Sequence, residues 1–259
     1  MFGMWRKRKR ASLRQKPFPS VWAQIVSAKV SYYECLPEPL KRELQGNVQI
    51  LLHEKHIEGC GGFEITDEVR VTIAATAAIL LLNRESDYFR GLRSILVYEK
   101  AFMVEGEEVG DDGLVTEWGD VFSGESWEQG VVILAWEEAQ LGFTNSCDGY
   151  NVVLHEFAHQ LDDENPLAEG LPVLEDDEAY EEWAEVCSRH FKRLRRDVRM
   201  NKKTFLDAYG AGDPAEFFAV ATEAFFERPI QLERKRSGLY RILSQFYRQD
   251  PAAYVQDSS

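Results

Sequence analysis

Apolar residues recur at helical spacing from Val21 to Leu52, and Leu36-Pro37-Glu38-Pro39 divides them into two predicted helices with a proline-marked joint. Thr66-Asp67-Glu68 opens another apolar segment that runs to Leu82. Thr66 or Asp67 fits its N-cap, and its alanines suit a closely packed core helix. The period then shortens. Ser94 to Tyr98 (S-I-L-V-Y) and Val115 to Phe122 read as strands, with an acidic, glycine-containing hairpin loop at Glu105 to Asp112 between them. Gly130 to Trp136 (G-V-V-I-L-A-W) is the clearest strand of the chain. Asn151 to Asp162 returns to helical spacing and ends or bends at Asp162-Asp163-Glu164-Asn165-Pro166. An acidic run, Glu175 to Glu182, opens an amphipathic helix through Leu194 whose last turns are basic, the distribution a helix dipole favours. In Asp213-Pro214-Ala215-Glu216, Asp213 reads as N-cap, Pro214 as N1 and Glu216 as N3, ahead of an aromatic face of Phe217, Phe218, Phe225 and Phe226. Helices, then a small mixed sheet, then helices again predict an α+β fold.

The helix at 151–162 carries the chemistry. It contains His155-Glu156-Phe157-Ala158-His159, and residues four apart lie on one helical face, so both imidazoles can point at one ion. Neutral imidazole is a good zinc ligand, and Glu156 stands about 100° round the helix, where a carboxylate can hold a reacting water. An ordinary buried helix with two satisfied histidines would show the same five residues. Asp162, three beyond His159 and seven beyond His155, can orient a histidine or simply cap the helix. A catalytic zinc also needs a third protein ligand. Glu216 and Glu223, one heptad apart on one face, are both candidates, and Glu216 could equally close a capping box. Val131 to Trp136, with Val132 and Leu134, is either a buried core strand or, where an extended peptide has to be bound, the strand that pairs with it. His53-Glu54-Lys55-His56 offers a second histidine pair, but Gly59, Gly61 and Gly62 predict that these histidines end a helix at the surface. His190, amid basic residues, reads as a partly exposed structural histidine.

Composition narrows the setting. The chain has 259 residues, 44% hydrophobic and 29% charged, with a net charge of −14, which predicts a globular protein that does not bind nucleic acid directly. Its four cysteines form no C-x-x-C pair, so neither a thiolate zinc site nor a disulfide framework is predicted. The longest nearly apolar run, Ile73 to Leu82, is too short for a membrane span. Arg14, Gln15, Lys16, Pro17 and Pro19 break any secretory apolar region, and a cytoplasmic setting is predicted. Arg6 to Arg10, Arg14 and Lys16 make residues 1–16 basic, read as a mobile solvated tail before a single domain at 17–259.

Several stretches together resemble the Mlc titration factor A family of bacterial zinc peptidases: T-D-E-V-R (66–70), I-L-V-Y (95–98), G-E-S-W (124–127), N-V-V-L-H-E-F-A-H-Q-L-D (151–162), Y-G-A-G-D-P-A-E-F-F-A-V (209–220) and F-Y-R-Q-D-P (246–251). This resemblance begins near Phe18 and leaves the basic segment outside. The catalytic part is also similar to the protease domain of anthrax lethal factor. The resemblance implies a zincin-like (gluzincin) metallopeptidase with one zinc ion per chain, held by His155, His159 and Glu216. Glu156 would be the general base and Tyr209, seven residues before Glu216, a tyrosine near the metal. It further implies aminopeptidase activity on small peptides and binding of an Mlc-type transcriptional repressor. A non-enzymatic protein that sequesters such a repressor is the competing expectation.

Overall fold

In the computed structural model the chain begins with a docked helix rather than a free tail. The structure describes residues 2–109, 115–122, 124–127, 130–145, 147–165 and 169–255. Helix α1 (Phe2–Arg14) is followed by α2 (Ser20–Lys29), α3 (Ser31–Cys35) and α4 (Glu38–Glu54), and α1 lies against α4. Its basic residues are not simply solvated. Arg10, only 9% exposed, donates through Nε and Nη2 to both oxygens of Glu54 at 2.7 and 2.8 Å, and through Nη1 to Asp87 at 2.7 Å. Leu13 beside it is buried. A fork of donors matched to one carboxylate is a strong, directional anchor, so the expectation of a mobile tail over residues 1–16 is corrected.

The next strand is also unexpected. His56–Gly59 forms β1 rather than a helix end, while His53 and His56 are exposed as predicted. Helix α5 (Asp67–Ile79) starts at the predicted cap, with Thr66 Oγ1 accepting from Val69 N at 3.3 Å, and is buried nearly all round. Strands β2 (Ser94–Tyr98), β3 (Phe102–Val109), β4 (Val115–Phe122), β5 (Gly124–Trp127) and β6 (Val131–Ala135) follow. The hairpin expected at 105–112 is the antiparallel β3–β4 pair; β3 runs to Val109, and residues 110–114 lie outside the described chain. The main sheet has the order β1-β2-β6-β5, with β1, β2 and β6 parallel and β5 antiparallel to β6.

That order corrects one expectation. β6 is an inner strand, flanked on both sides, and Val132 and Leu134 are each 0% exposed. Neither its backbone nor these side chains can receive a peptide; among the described residues the terminal strand on that side is β5. Helices α6 (Trp136–Thr144), α7 (Val152–Asp162) and α8 (Asp177–Arg199) follow the sheet. A 3-10 turn (Ala208–Ala211) leads into α9 (Pro214–Glu227), α10 (Pro229–Lys235), α11 (Ser237–Tyr247) and α12 (Pro251–Tyr254). Helix α7 sits between α9 and the sheet, against β5 and β6, with α5 also touching it. A layer of helices over a small mixed sheet is the α+β arrangement expected. Among the described residues, no helix is long and apolar enough to cross a membrane.

Candidate metal centre

Helix α7 starts at Asn151, whose Oδ1 accepts from Leu154 N at 3.1 Å. Val153, Leu154, Phe157, Ala158 and Leu161 are buried, which fixes the helix's rotation and turns His155 and His159 toward α9. Their rings lie 4.9 Å apart, and their Nε2 atoms 3.2 Å apart. Glu156 is 3% exposed beside them.

The partner helix is capped as its sequence predicts: Asp213 Oδ1 accepts from Glu216 N at 2.9 Å, with Pro214 at the first position. The Glu216 side chain, however, turns away from the cap. Its Oε2 lies 3.0 Å from His155 Nε2 and 3.6 Å from His159 Nε2. Ligand atoms about 2.0–2.1 Å from a tetrahedral zinc are separated by roughly 3.4 Å. The three observed separations bracket that value, and no proton arrangement satisfies three converging lone-pair donors equally. The residues present therefore fit a divalent cation.

Glu223, the competing candidate, sits behind His155. Its Oε1 is 2.8 Å from His155 Nδ1, and its Oε2 accepts from Asn151 N at 2.5 Å. The two carboxylates thus take opposite nitrogens of one ring: Glu223 accepts Nδ1–H, so that a cation arriving at Nε2 displaces only the proton shared with Glu216. Burial opposes charge on His155, yet the hydrogen bonds to Glu216 and Glu223 outweigh it and push the imidazole pKa up to about 10. Glu216 is pulled down to about 2, burial being outweighed by its bonds to His155 and His159. Glu223 shifts upward, dominated by its own burial. The site is a concentration of negative potential built to hold positive charge.

Tyr209 lies on the 3-10 turn, oriented by Asp207, whose Oδ1 accepts from Tyr209 N at 2.8 Å. Its ring is 5.8 Å from that of His155, yet the residue is 63% exposed, so it borders the site on the solvent side. Desolvation of the hydroxyl, with the charges of Glu216 and Glu156 and a bond to Glu216, pushes its pKa up to about 12. It stays a proton donor throughout the neutral range.

Of the two roles open to Asp162, orienting a histidine or capping its helix, the structure shows neither. Its Oδ2 accepts from Gly170 N at 2.6 Å, and no hydrogen bond joins it to either imidazole. Gly170 (φ +69°) is wedged where a Cβ would stand 2.3 Å from Pro214 O, and Trp183 Nε1 donates to its carbonyl at 3.0 Å. Asp162 thereby ties the end of α7 to the start of α9 through a glycine no other residue can replace without displacement. Asn151 went unread in the sequence although it caps α7, meets Glu223 through its backbone and donates through Nδ2 to Glu227 at 3.0 Å. An asparagine ahead of an apolar helical run was the available signal.

Two imidazoles and a carboxylate converging beside a buried glutamate are the constellation of a metal-dependent hydrolase. Over residues 3–248 the chain matches the glucose-regulated metallo-peptidase M90 family, and it belongs to that family. The match includes most of the basic N-terminal helix, in keeping with its docked position. The chain is 37% identical over 248 residues to an uncharacterized protein of Synechocystis sp., covering 95% of this chain and 89% of the relative. It is 36% identical over 211 residues to Mlc titration factor A of Serratia proteamaculans, covering 80% and 79%. It is 31% identical over 250 residues to Mlc titration factor A of Escherichia coli, covering 95% and 92%.

Proposed function

We propose that this chain is a zinc-dependent peptidase of zincin-like, gluzincin type, with one zinc ion per chain held by His155, His159 and Glu216. The convergence of these three donors beside Glu156 carries the reading. A bound zinc would acidify a water molecule and polarise the scissile carbonyl. Glu156, desolvated on α7, accepts the proton of the attacking water and delivers it to the departing amine. The Tyr209 hydroxyl donates to the carbonyl oxygen as charge develops there. The outer backbone edge of β5 pairs with an extended peptide, the role the sequence offered to β6. Helix α1 belongs to the same single catalytic domain. Resemblance to the family supports release of N-terminal residues from small peptides in the cytoplasm.

The test is hydrolysis of aminoacyl p-nitroanilides by the native chain and by Glu156→Gln, alongside zinc content. The variant should lose at least a hundredfold in kcat while retaining one zinc per chain. Activity surviving the substitution would refute the mechanism. The name of two relatives, Mlc titration factor A, favours a second activity, capture of an Mlc-type transcriptional repressor, which pull-down of such a repressor by Glu156→Gln would separate from catalysis.

A further inference from the structure

Beside Trp183, apart from the metal centre, lies a concave site. A cavity of about 500 Å³ opens between α8, α11 and the segment after α5, well within the range of small-molecule pockets. Its floor is apolar, with Trp183 and Phe246 in edge contact at 5.4 Å and Leu174 beside them. One lining residue is out of place on such a floor. The Arg84 guanidinium lies 3.9 Å over the Phe246 ring. Its Nη1 is sealed from solvent and meets no hydrogen-bond acceptor among the described residues. Burial holds its pKa below the ordinary arginine value. Arginine retains its proton even so, and its planar fork, which lines the cavity, meets no hydrogen-bond acceptor among the described residues, Glu164 acting on it through its charge alone. A buried charge of this kind calls for an anionic acceptor.

The other lining charges limit what that acceptor can be. Glu175 is engaged by Arg248, and Glu182 by Arg241 at 2.6 Å. Glu164 and Glu178 also line the cavity; neither makes an ion-pair contact with a described residue, and Glu164 acts on Arg84 only through its charge. A simple anion would reach Arg84 only past these carboxylates, whereas a molecule bearing both charges satisfies each. We propose that this cavity binds a free α-amino acid with an apolar side chain. Its carboxylate lies on Arg84, its ammonium between Glu164 and Glu178, and its side chain on Trp183 and Phe246. The site is separate from the metal centre and does not depend on its assignment.

Isothermal titration of the full-length, chelator-treated chain with L-leucine tests this, because chelation removes the metal at which a product amino acid could bind. Leucine should bind at one equivalent. Leucinamide, lacking the carboxylate, and N-acetyl-leucine, lacking the ammonium, should each bind at least tenfold more weakly. Arg84→Gln should weaken leucine at least tenfold with an unchanged circular dichroism spectrum. Should that variant misfold, Glu164→Gln, at an exposed position, should narrow the preference for leucine over N-acetyl-leucine by at least threefold. No heat at millimolar leucine overturns the proposal, as does N-acetyl-leucine binding as well as leucine. Undiminished leucine binding by a folded Arg84→Gln chain does so too.

Discussion

Replacing Glu223 by glutamine changes one oxygen to an amide nitrogen at a site 2% exposed, with almost no change of shape. The native carboxylate accepts from two donors at once, His155 Nδ1–H at 2.8 Å and Asn151 N–H at 2.5 Å. Glutamine has a single acceptor oxygen. If that oxygen faces Asn151, the amide NH2 donates to His155 Nδ1, forcing the ring proton onto Nε2, the atom that must ligate. If the oxygen faces His155, the NH2 meets the Asn151 N–H and leaves a buried backbone donor unsatisfied at the cap of α7. Misdirecting a histidine's outer hydrogen bond typically costs 10–100-fold in metal affinity, or about 1.4–2.7 kcal/mol. An unmet buried donor costs roughly 1–3 kcal/mol of stability, about 3–8 °C in a chain of this size. The assay is zinc competition against a chromophoric chelator, paired with thermal unfolding of the metal-free chain. Zinc affinity within twofold of native would refute the assignment of Glu223 as the group that sets the His155 tautomer.

Tyr209→Phe should lower kcat by about a hundredfold with zinc affinity unchanged, because only the hydroxyl is lost from an exposed ring; a loss confined to KM would contradict its role at the carbonyl oxygen. Arg10→Met leaves Glu54 without its bidentate partner and should cost about 3 kcal/mol in urea unfolding; a loss below 1 kcal/mol would mean that α1 is not anchored as described. Burial pushes Glu227 up to about 8 from an unfolded value near 4.5, the hydrogen bond from Asn151 only partly offsetting it. Between these values the folded chain holds the extra proton, so stability present below pH 4.5 falls as pH rises and is lost through about pH 8, by on the order of 5 kcal/mol. Glu227→Gln should match native stability at pH 4.5 and exceed it at pH 9; parallel pH profiles for the two chains would refute this.

What the sequence disclosed was what short-range chemistry controls. The i, i+4 histidines, the Thr66 cap of α5 and the Asp213–Pro214 start of α9 each depend on neighbours within a few residues, and each stands where expected. The division of labour between Glu216 and Glu223 could not be read, since both lie on one face of α9 and only its placement against α7 separates them. Strand order was hidden for the same reason. β6 is an uninterrupted apolar run, Val131 to Ala135, which suits a buried inner strand, and only β2 and β5 closing on either side show that Val132 and Leu134 are unavailable to a peptide. The basic N-terminal run resembled a tail because the partners of Arg10, Glu54 and Asp87, stand 44 and 77 positions away. β1 is a four-residue, largely exposed strand paired, among the described residues, with β2 alone, too short and polar to announce itself.

His155 and Glu216 stand 61 positions apart and belong to different helices. A cation held by both would therefore act as a cross-link as well as a reagent, much as a disulfide would over the same span. If the ligands stay attached as the chain opens, closing a loop of that length removes about 4 kcal/mol of denatured-state freedom. The metal-free chain would then open more often between α7 and α9 and fall sooner to cellular proteases. Metal supply would thus set how long each copy survives, and the cell could adjust the amount of this protein without changing its synthesis.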